Sequence, residues 1–217
     1  MASALLLEFP AMNNPIFRER GFTLIETLVV LAILMVAVMI GTPYLATQIQ
    51  RSKLVGVANQ GAGLMRLARM DAIKHSRCAM VVIEVGARKM AVFSDEDRSC
   101  SLSAGDVRLS EVVLPKSVDF SSPCGTGAAS IRGLTPVAGN PSVAVFRGDG
   151  SALDTGAFRI GAGELGGRET NYLEVIVSPA ATARIQLRKW RGGVGGACDV
   201  DANWHTNGEG GGAWKWS

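Results

Sequence analysis

The sequence predicts an α+β fold in which one long N-terminal helix, its first half membrane-spanning, packs against an antiparallel β-sheet domain. Three observations lead there. An apolar run from Phe22 to Leu45 carries Glu26 as its one charge. Apolar residues then recur at three- and four-residue steps as far as His75. From Cys78 onward the period becomes two, in short runs of Val, Ile, Met and Phe set between Gly, Pro and Ser. A helix followed by successive strands is the order of an α+β domain.

At 217 residues the chain has room for one domain and an appendage. Hydrophobic residues make up 47% of it, and their excess lies in the N-terminal quarter, so the remainder has the composition of an ordinary soluble domain. A net charge of +3 is too small a surplus to imply a nucleic-acid partner without a local basic cluster.

The elements are expected in this order. Residues 1–21 form a polar leader ending Arg18-Glu19-Arg20-Gly21, whose basic residues favour a cytoplasmic N-terminus. Residues 22–45 are long enough to cross a bilayer, which takes about 20 apolar residues, and too long for the apolar part of a secretory signal. A carboxylate in such a span costs about 2.5–3.5 kcal/mol, so Glu26 calls for a positive partner. Pro43 removes a backbone hydrogen bond and should bend or loosen the helix. Residues 46–76 continue it beyond the membrane, with Leu54, Val57, Gly61, Leu64 and Ala68 on the face that packs on a sheet. Gly61 and Gly63, poor helix formers, mark a close approach or a kink.

The β-domain, residues 77–191, should contain three hairpins: Cys78 to Val85 with Lys89 to Ser94, Ser142 to Arg147 with Gly156 to Ile160, and Asn171 to Val177 with Arg184 to Trp190. Val107 to Leu114 and Val118 to Phe120 are further strands, and Ser121 to Gly133 is a loop. A Gly/Trp-rich tail, residues 192–217, completes the chain. Cys78, Cys100, Cys124 and Cys198 lack metal-ligand spacing and in an oxidising compartment would close two disulfides. Three connectivities are open, and Cys78 with Cys100 plus Cys124 with Cys198 is the preferred one.

Gly21-Phe22-Thr23-Leu24-Ile25-Glu26 resembles the type III signal of type IV prepilins and type II secretion pseudopilins. The resemblance implies cleavage between Gly21 and Phe22 by a prepilin peptidase, N-methylation of Phe22, and a pairing of Glu26 with the N-terminal amine of a neighbouring subunit. It also implies the inner membrane and other pilins or pseudopilins as partners, a periplasmic C-terminal domain, and no cofactor. Leaders in that family are shorter, and a start at Met12 would give an ordinary one. Within that family the order of elements resembles the GspH/FimT group. Arg69-Met70-Asp71-Ala72-Ile73-Lys74, Phe146 with Gly148-Asp149-Gly150, and Val175-Ile176-Val177-Ser178-Pro179 carry that likeness.

Catalysis is not expected. Ser151 lacks a nucleophile turn, and His75 and His205 have no motif around them. No metal site is expected either, because Asp199, Asp201 and Glu209 near His205 lack ligand spacing. Arg184, Arg188, Lys189 and Arg191 surround Trp190, with Trp204, Trp214 and Trp216 following, a mixture suited to phosphate contact and base stacking. The alternative function is therefore a DNA-binding minor pilin of an uptake pilus. In the DNA-binding Gly-Arg-x-Arg motif of some FimT-type pilins, however, only Arg184 of Ala183-Arg184-Ile185-Gln186 carries over. The favoured view of these residues is a solvated strand face with the tryptophans capping the core.

Overall fold

The computed structural model describes residues 23–123, 125–126, 130–136, 142–162, 172–190 and 203–206. The expected leader, Gly21, Phe22, Cys124, Arg191, Cys198 and most of the expected tail lie outside the described residues. The chain divides into two compact units, Met1–Pro43 and Tyr44–Ser217.

One α-helix, α1, runs Leu24–His75 and passes Gly41, Thr42 and Pro43 without a break. In the first unit its side chains are apolar on every side from Leu28 to Ile40, and an 18-residue window has mean hydropathy 2.7 with none of it buried. By length and composition this segment can cross a membrane.

In the second unit α1 becomes one-sided. Leu54, Val57, Ala58, Ala62, Met65, Ala68 and Ala72 are buried, while Ser52, Asn59, Gly63, Arg66 and Met70 are exposed. Those buried positions follow the 3.6-residue period of a helix lying on a core. Gly61 sits on this stripe. A Cβ there would stand 2.5 Å from Cζ of the buried Phe158, so the glycine is a close approach. Gly63, two residues on, faces open space and involves no such contact.

The strands are β1 (Ala79–Glu84), β2 (Lys89–Ser94), β3 (Val107–Val113), β4 (Val118–Asp119), β5 (Ser121–Ser122), β6 (Gly125–Thr126), β7 (Ile131–Arg132), β8 (Thr135–Pro136), β9 (Ser142–Phe146), β10 (Gly156–Ala162), β11 (Tyr172–Val177), β12 (Ile185–Trp190) and β13 (Trp204–Thr206). They form two main sheets. The first has the order β3-β2-β1-β9-β8 and the second β13-β12-β11-β10-β4, with β7 also on β10; β5 and β6 pair separately. Neighbouring strands are antiparallel. The buried stripe of α1 and the inner faces of both sheets share one core, in which Phe146 comes from the first sheet and Phe158, Ile160 and Val175 from the second. Phe120 meets Phe158 edge-on at 6.2 Å between ring centroids.

The first and third expected hairpins are present as β1–β2 and β11–β12. The second is corrected. β9 pairs with β1 and β8, whereas β10 pairs with β11, so these consecutive strands lie in different sheets. Around Gly148-Asp149-Gly150 the chain does reverse, with Arg147 N–H donating to Ser151 O at 2.8 Å and Leu153 N–H to Val145 O at 2.8 Å. Ala152 N–H then donates to Ala180 O, and the chain crosses to the second sheet. The expected loop from Ser121 to Gly133 holds the two-residue strands β5, β6 and β7. The expected tail contains β13, so the β-domain extends past residue 191.

Both faces of β1 are buried, which accounts for its unbroken apolar run Ala79-Met80-Val81-Val82-Ile83. Ala79, Val81 and Ile83 join the shared core, and Met80 and Val82 join Cys78, Val143 and Val145 on the other side, under Cys100 and Leu102. Cys78 and Cys100 are disulfide-bonded, Cα to Cα 5.2 Å. A loop of this length is pinned by about 3 kcal/mol in the chain-entropy account.

The two glycines give a paired prediction for denaturant unfolding of the full chain in detergent. Gly63→Ala should raise stability by about 1 kcal/mol, the helix-propensity gain. Gly61→Ala should lower it despite the same gain, because the new methyl must displace Phe158.

Candidate functional site

Two regions carry the residues that the sequence singles out. The first is the start of α1. Thr23 immediately precedes the helix, and its Oγ1 accepts the Glu26 N–H at 3.3 Å. The Thr23 carbonyl accepts the Thr27 N–H at 3.2 Å, and Thr27 Oγ1 donates to Leu24 O at 2.7 Å. Glu26 thus stands in the first turn, where a negative side chain meets the positive end of the helix dipole. Threonine three residues before glutamate, leading an apolar run, is a capping-box pattern. It was present in the sequence and marks Thr23 as a residue the motif reading passed over. Leu24 is 77% exposed, and Ile25, Leu28, Val29 and Leu31 are exposed as well. That surface has to find lipid or another apolar helix.

The second region lies at the end of α1, where two stretches of family likeness meet. Arg69 Nε donates to Gly150 O at 2.9 Å. A Cβ on Gly148 would lie 2.7 Å from the Ser76 backbone carbon, so glycine alone lets the turn touch the helix end. Asp71 accepts Ser94 Oγ at 2.6 Å and stands 3.0 Å from His75 Nδ1. These residues fasten helix to sheet. The aspartate lies between the serine and the histidine, which is not the order of a nucleophilic triad. Ser151 is used in the same way: its N–H and Oγ donate to Asp149 Oδ1 at 2.9 and 2.6 Å, which lowers the Asp149 pKa below the usual carboxylate value.

Between β2 and β3, carboxylate oxygens of Asp95, Asp97 and Asp106 lie within 4.8 Å of one another. They serve the loop itself. Asp95 accepts the N–H groups of Ser99 and Cys100, Asp97 that of Ser99, and Asp106 those of Glu96 and Ser103. Burial pushes the Asp95 carboxyl up, while the Ser99 hydroxyl and N–H bring Asp97 down to about 2. The Arg77 guanidinium is bonded to Glu96, which raises its pKa.

Of the favoured arrangement, the enclosed tryptophans are present in Trp190 and Trp204, while the solvated strand face is corrected at Arg188 and Lys189. Lys189, Trp190 and Trp204 are buried, and the Arg188 side chain is only 11% exposed. Arg188 Nε donates to Glu174 Oε2 at 2.8 Å, with a second contact from Nη2, and Arg159 Nε donates to Glu174 Oε1 at 2.9 Å. Arg159, Glu174 and Arg188 are direct cross-strand neighbours on β10, β11 and β12, and the side chains of the first two are 1% and 0% exposed. Tryptophans enclosed in this way offer no face to a nucleic-acid base. Arg184 is exposed, and the predicted Arg191 lies outside the described residues. Neither Arg159 nor Glu174 was anticipated. The available signal was a lone charge within each of the apolar strands β10 and β11 and the Arg188-Lys189 pair in β12, which register brings into line.

Residues 16–42 match the prokaryotic N-terminal methylation motif, and residues 57–181 match the family described as type II transport protein GspH. No curated relative matches the chain. Among solved structures, two of the minor pseudopilin EpsH from the type II secretion system of Vibrio cholerae are similar. One is 12% identical, with 61% of this chain and 95% of that one covered and a TM-score of 0.44. The other is 11% identical, with 62% and 96% covered and a TM-score of 0.43. The type IV minor pilin FimU of Pseudomonas aeruginosa is 16% identical, with 63% and 89% covered and a TM-score of 0.39.

Glu174 is the carboxylate that the Arg159 and Arg188 guanidiniums share, and its removal takes one buried charge out of that cluster. Glu174→Gln should therefore destabilise the β-domain by about 3–5 kcal/mol in denaturant unfolding. In the loop, a depressed carboxyl pKa stabilises above its unfolded value near 4 and loses that contribution as pH falls through about 2. The Ser99 amide resonance should titrate with that low midpoint and stop doing so in Asp97→Asn.

Proposed function

The chain belongs to the GspH family of type II transport proteins, and on that premise we propose that it is a membrane-anchored minor pilin or pseudopilin that assembles by helix packing. The observation that carries the proposal is the methylation motif on residues 16–42, running into a helix that is apolar on every side from Leu28 to Ile40. In this proposal a prepilin peptidase cuts between Gly21 and Phe22 and the new amine is methylated. The subunit waits in the inner membrane with its β-domain in the periplasm, where the Cys78–Cys100 disulfide is stable.

Assembly then moves the apolar surface of α1 from lipid onto neighbouring helices. Since lipid is as apolar as those helices, packing and polar pairing have to favour the transfer. Glu26 supplies the polar pairing by meeting the N-terminal amine of an adjacent subunit, an attraction strengthened in a low-dielectric layer. Pro43, lacking an N–H, gives the anchor a locally loosened turn. The β-domain offers its loops to other subunits and contributes no chemistry. DNA capture has less support, because the aromatic groups suited to it are enclosed among the described residues.

Mass measurement tests processing. With a prepilin peptidase the full chain should lose residues 1–21 and gain one methyl group, and without it the mass should stay that of the precursor. Glu26→Ala should be cleaved normally yet be lost from filament fractions. Unaltered mass in the presence of active peptidase would end the proposal, as would undiminished incorporation of Glu26→Ala.

A further inference from the structure

The last described strand, β13, lies beyond the family-matched residues 57–181. After Trp190 the chain returns to lay Trp204, His205 and Thr206 against Trp190, Lys189 and Arg188 of β12. The Trp204 ring packs 5.3 Å from that of Trp190, and the Arg159 guanidinium carbon lies 4.9 Å from the Trp204 ring centroid. Both indoles are buried, with the half-buried Tyr172 beside them.

This placement matters because of what lies beneath. Glu174 holds both arginines in a site where Arg159 and Glu174 are fully buried and the Arg188 side chain is 11% exposed, and such a cluster weakens as solvent gains access to it. The Trp204 face over Arg159 is part of the enclosure. Yet among the described residues β13 is a three-residue edge strand with one strand neighbour, so there it is held by less than any of the central strands of its sheet.

We propose that β13 is a clasp: it closes over the Arg159–Glu174–Arg188 cluster, opens separately from the rest of the domain, and makes completion of the second sheet conditional on the C-terminal segment. Until that segment is in place, Arg188 and Lys189 stand open to solvent and to protease. The device is independent of whether the helix assembles into a filament.

Limited trypsin digestion of the full chain in detergent tests it, with cleavage sites quantified by mass. Trp204→Ala should speed cleavage after Arg188 and Lys189 by about tenfold, since protease reads the open population, and leave cleavage after the exposed Lys116 unchanged. Trp204→Phe should restore most of the protection. A chain ended after Ala202, which lacks β13 but keeps residues beyond the scissile bonds, should be cut at Arg188 and Lys189 without any lag. The clasp is overturned if Trp204→Ala is cut there no faster than the parent, or if Lys116 accelerates equally, since that would be global unfolding. Undiminished protection in the shortened chain would also overturn it.

Discussion

One stripe of α1, from Leu54 to Ala72, is the constraint on which the β-domain depends. Four of its buried residues, Ala58, Ala62, Ala68 and Ala72, are alanines, and Gly61 lies among them. Small side chains let two sheets close on a single helix, and Phe158 fills the gap over Gly61. The inward residues of β1, β2, β9, β10 and β11 all face that stripe or one another. Without it neither sheet would have a surface to bury its apolar side against.

The same arrangement explains where polar groups went. A sheet with one face on the helix is normally free to be wet on the other, but here both outer faces carry buried residues. Over the first sheet, the loop after β2 is held by the disulfide and by carboxylates that accept its own N–H groups, and it covers Met80 and Val82. Over the second, Arg159 and Arg188 from the two flanking strands share the carboxylate of Glu174 on the strand between them. Satisfying each charge with a neighbour at fixed register sets strand alignment as firmly as apolar packing does.

Much of this was legible in the sequence, for reasons that also mark the limit. The helix and its end at His75 follow from a 3.6-residue period, and the strand bounds from a period of two. Gly61 announced a close approach because glycine is costly in a helix; Gly63 gave the same signal with no neighbour behind it. Alternation tells which residues share a face and is silent about which strand lies alongside. That is why Ser142 to Arg147 and Gly156 to Ile160 read as a hairpin although they lie in separate sheets. For the basic residues near Trp190, composition suggested an open surface, whereas cross-strand register turned Arg188 onto Glu174. β13 left little trace, because three residues between glycine-rich stretches are too short for any period to show.

The capped start of α1 bears on how long a lone subunit can survive in the bilayer. Glu26 lies within the first turn, beside N–H groups that lack helical acceptors, and the Thr23 hydroxyl engages one of them. Part of the carboxylate's need for positive charge is therefore met within its own backbone, by roughly the 0.3–1 kcal/mol of a helix-end interaction. That is a minor share of the roughly 2.5–3.5 kcal/mol that a carboxylate costs in an apolar span, so the cap eases the demand of Glu26 for a positive group and leaves most of it to be met from outside its own helix.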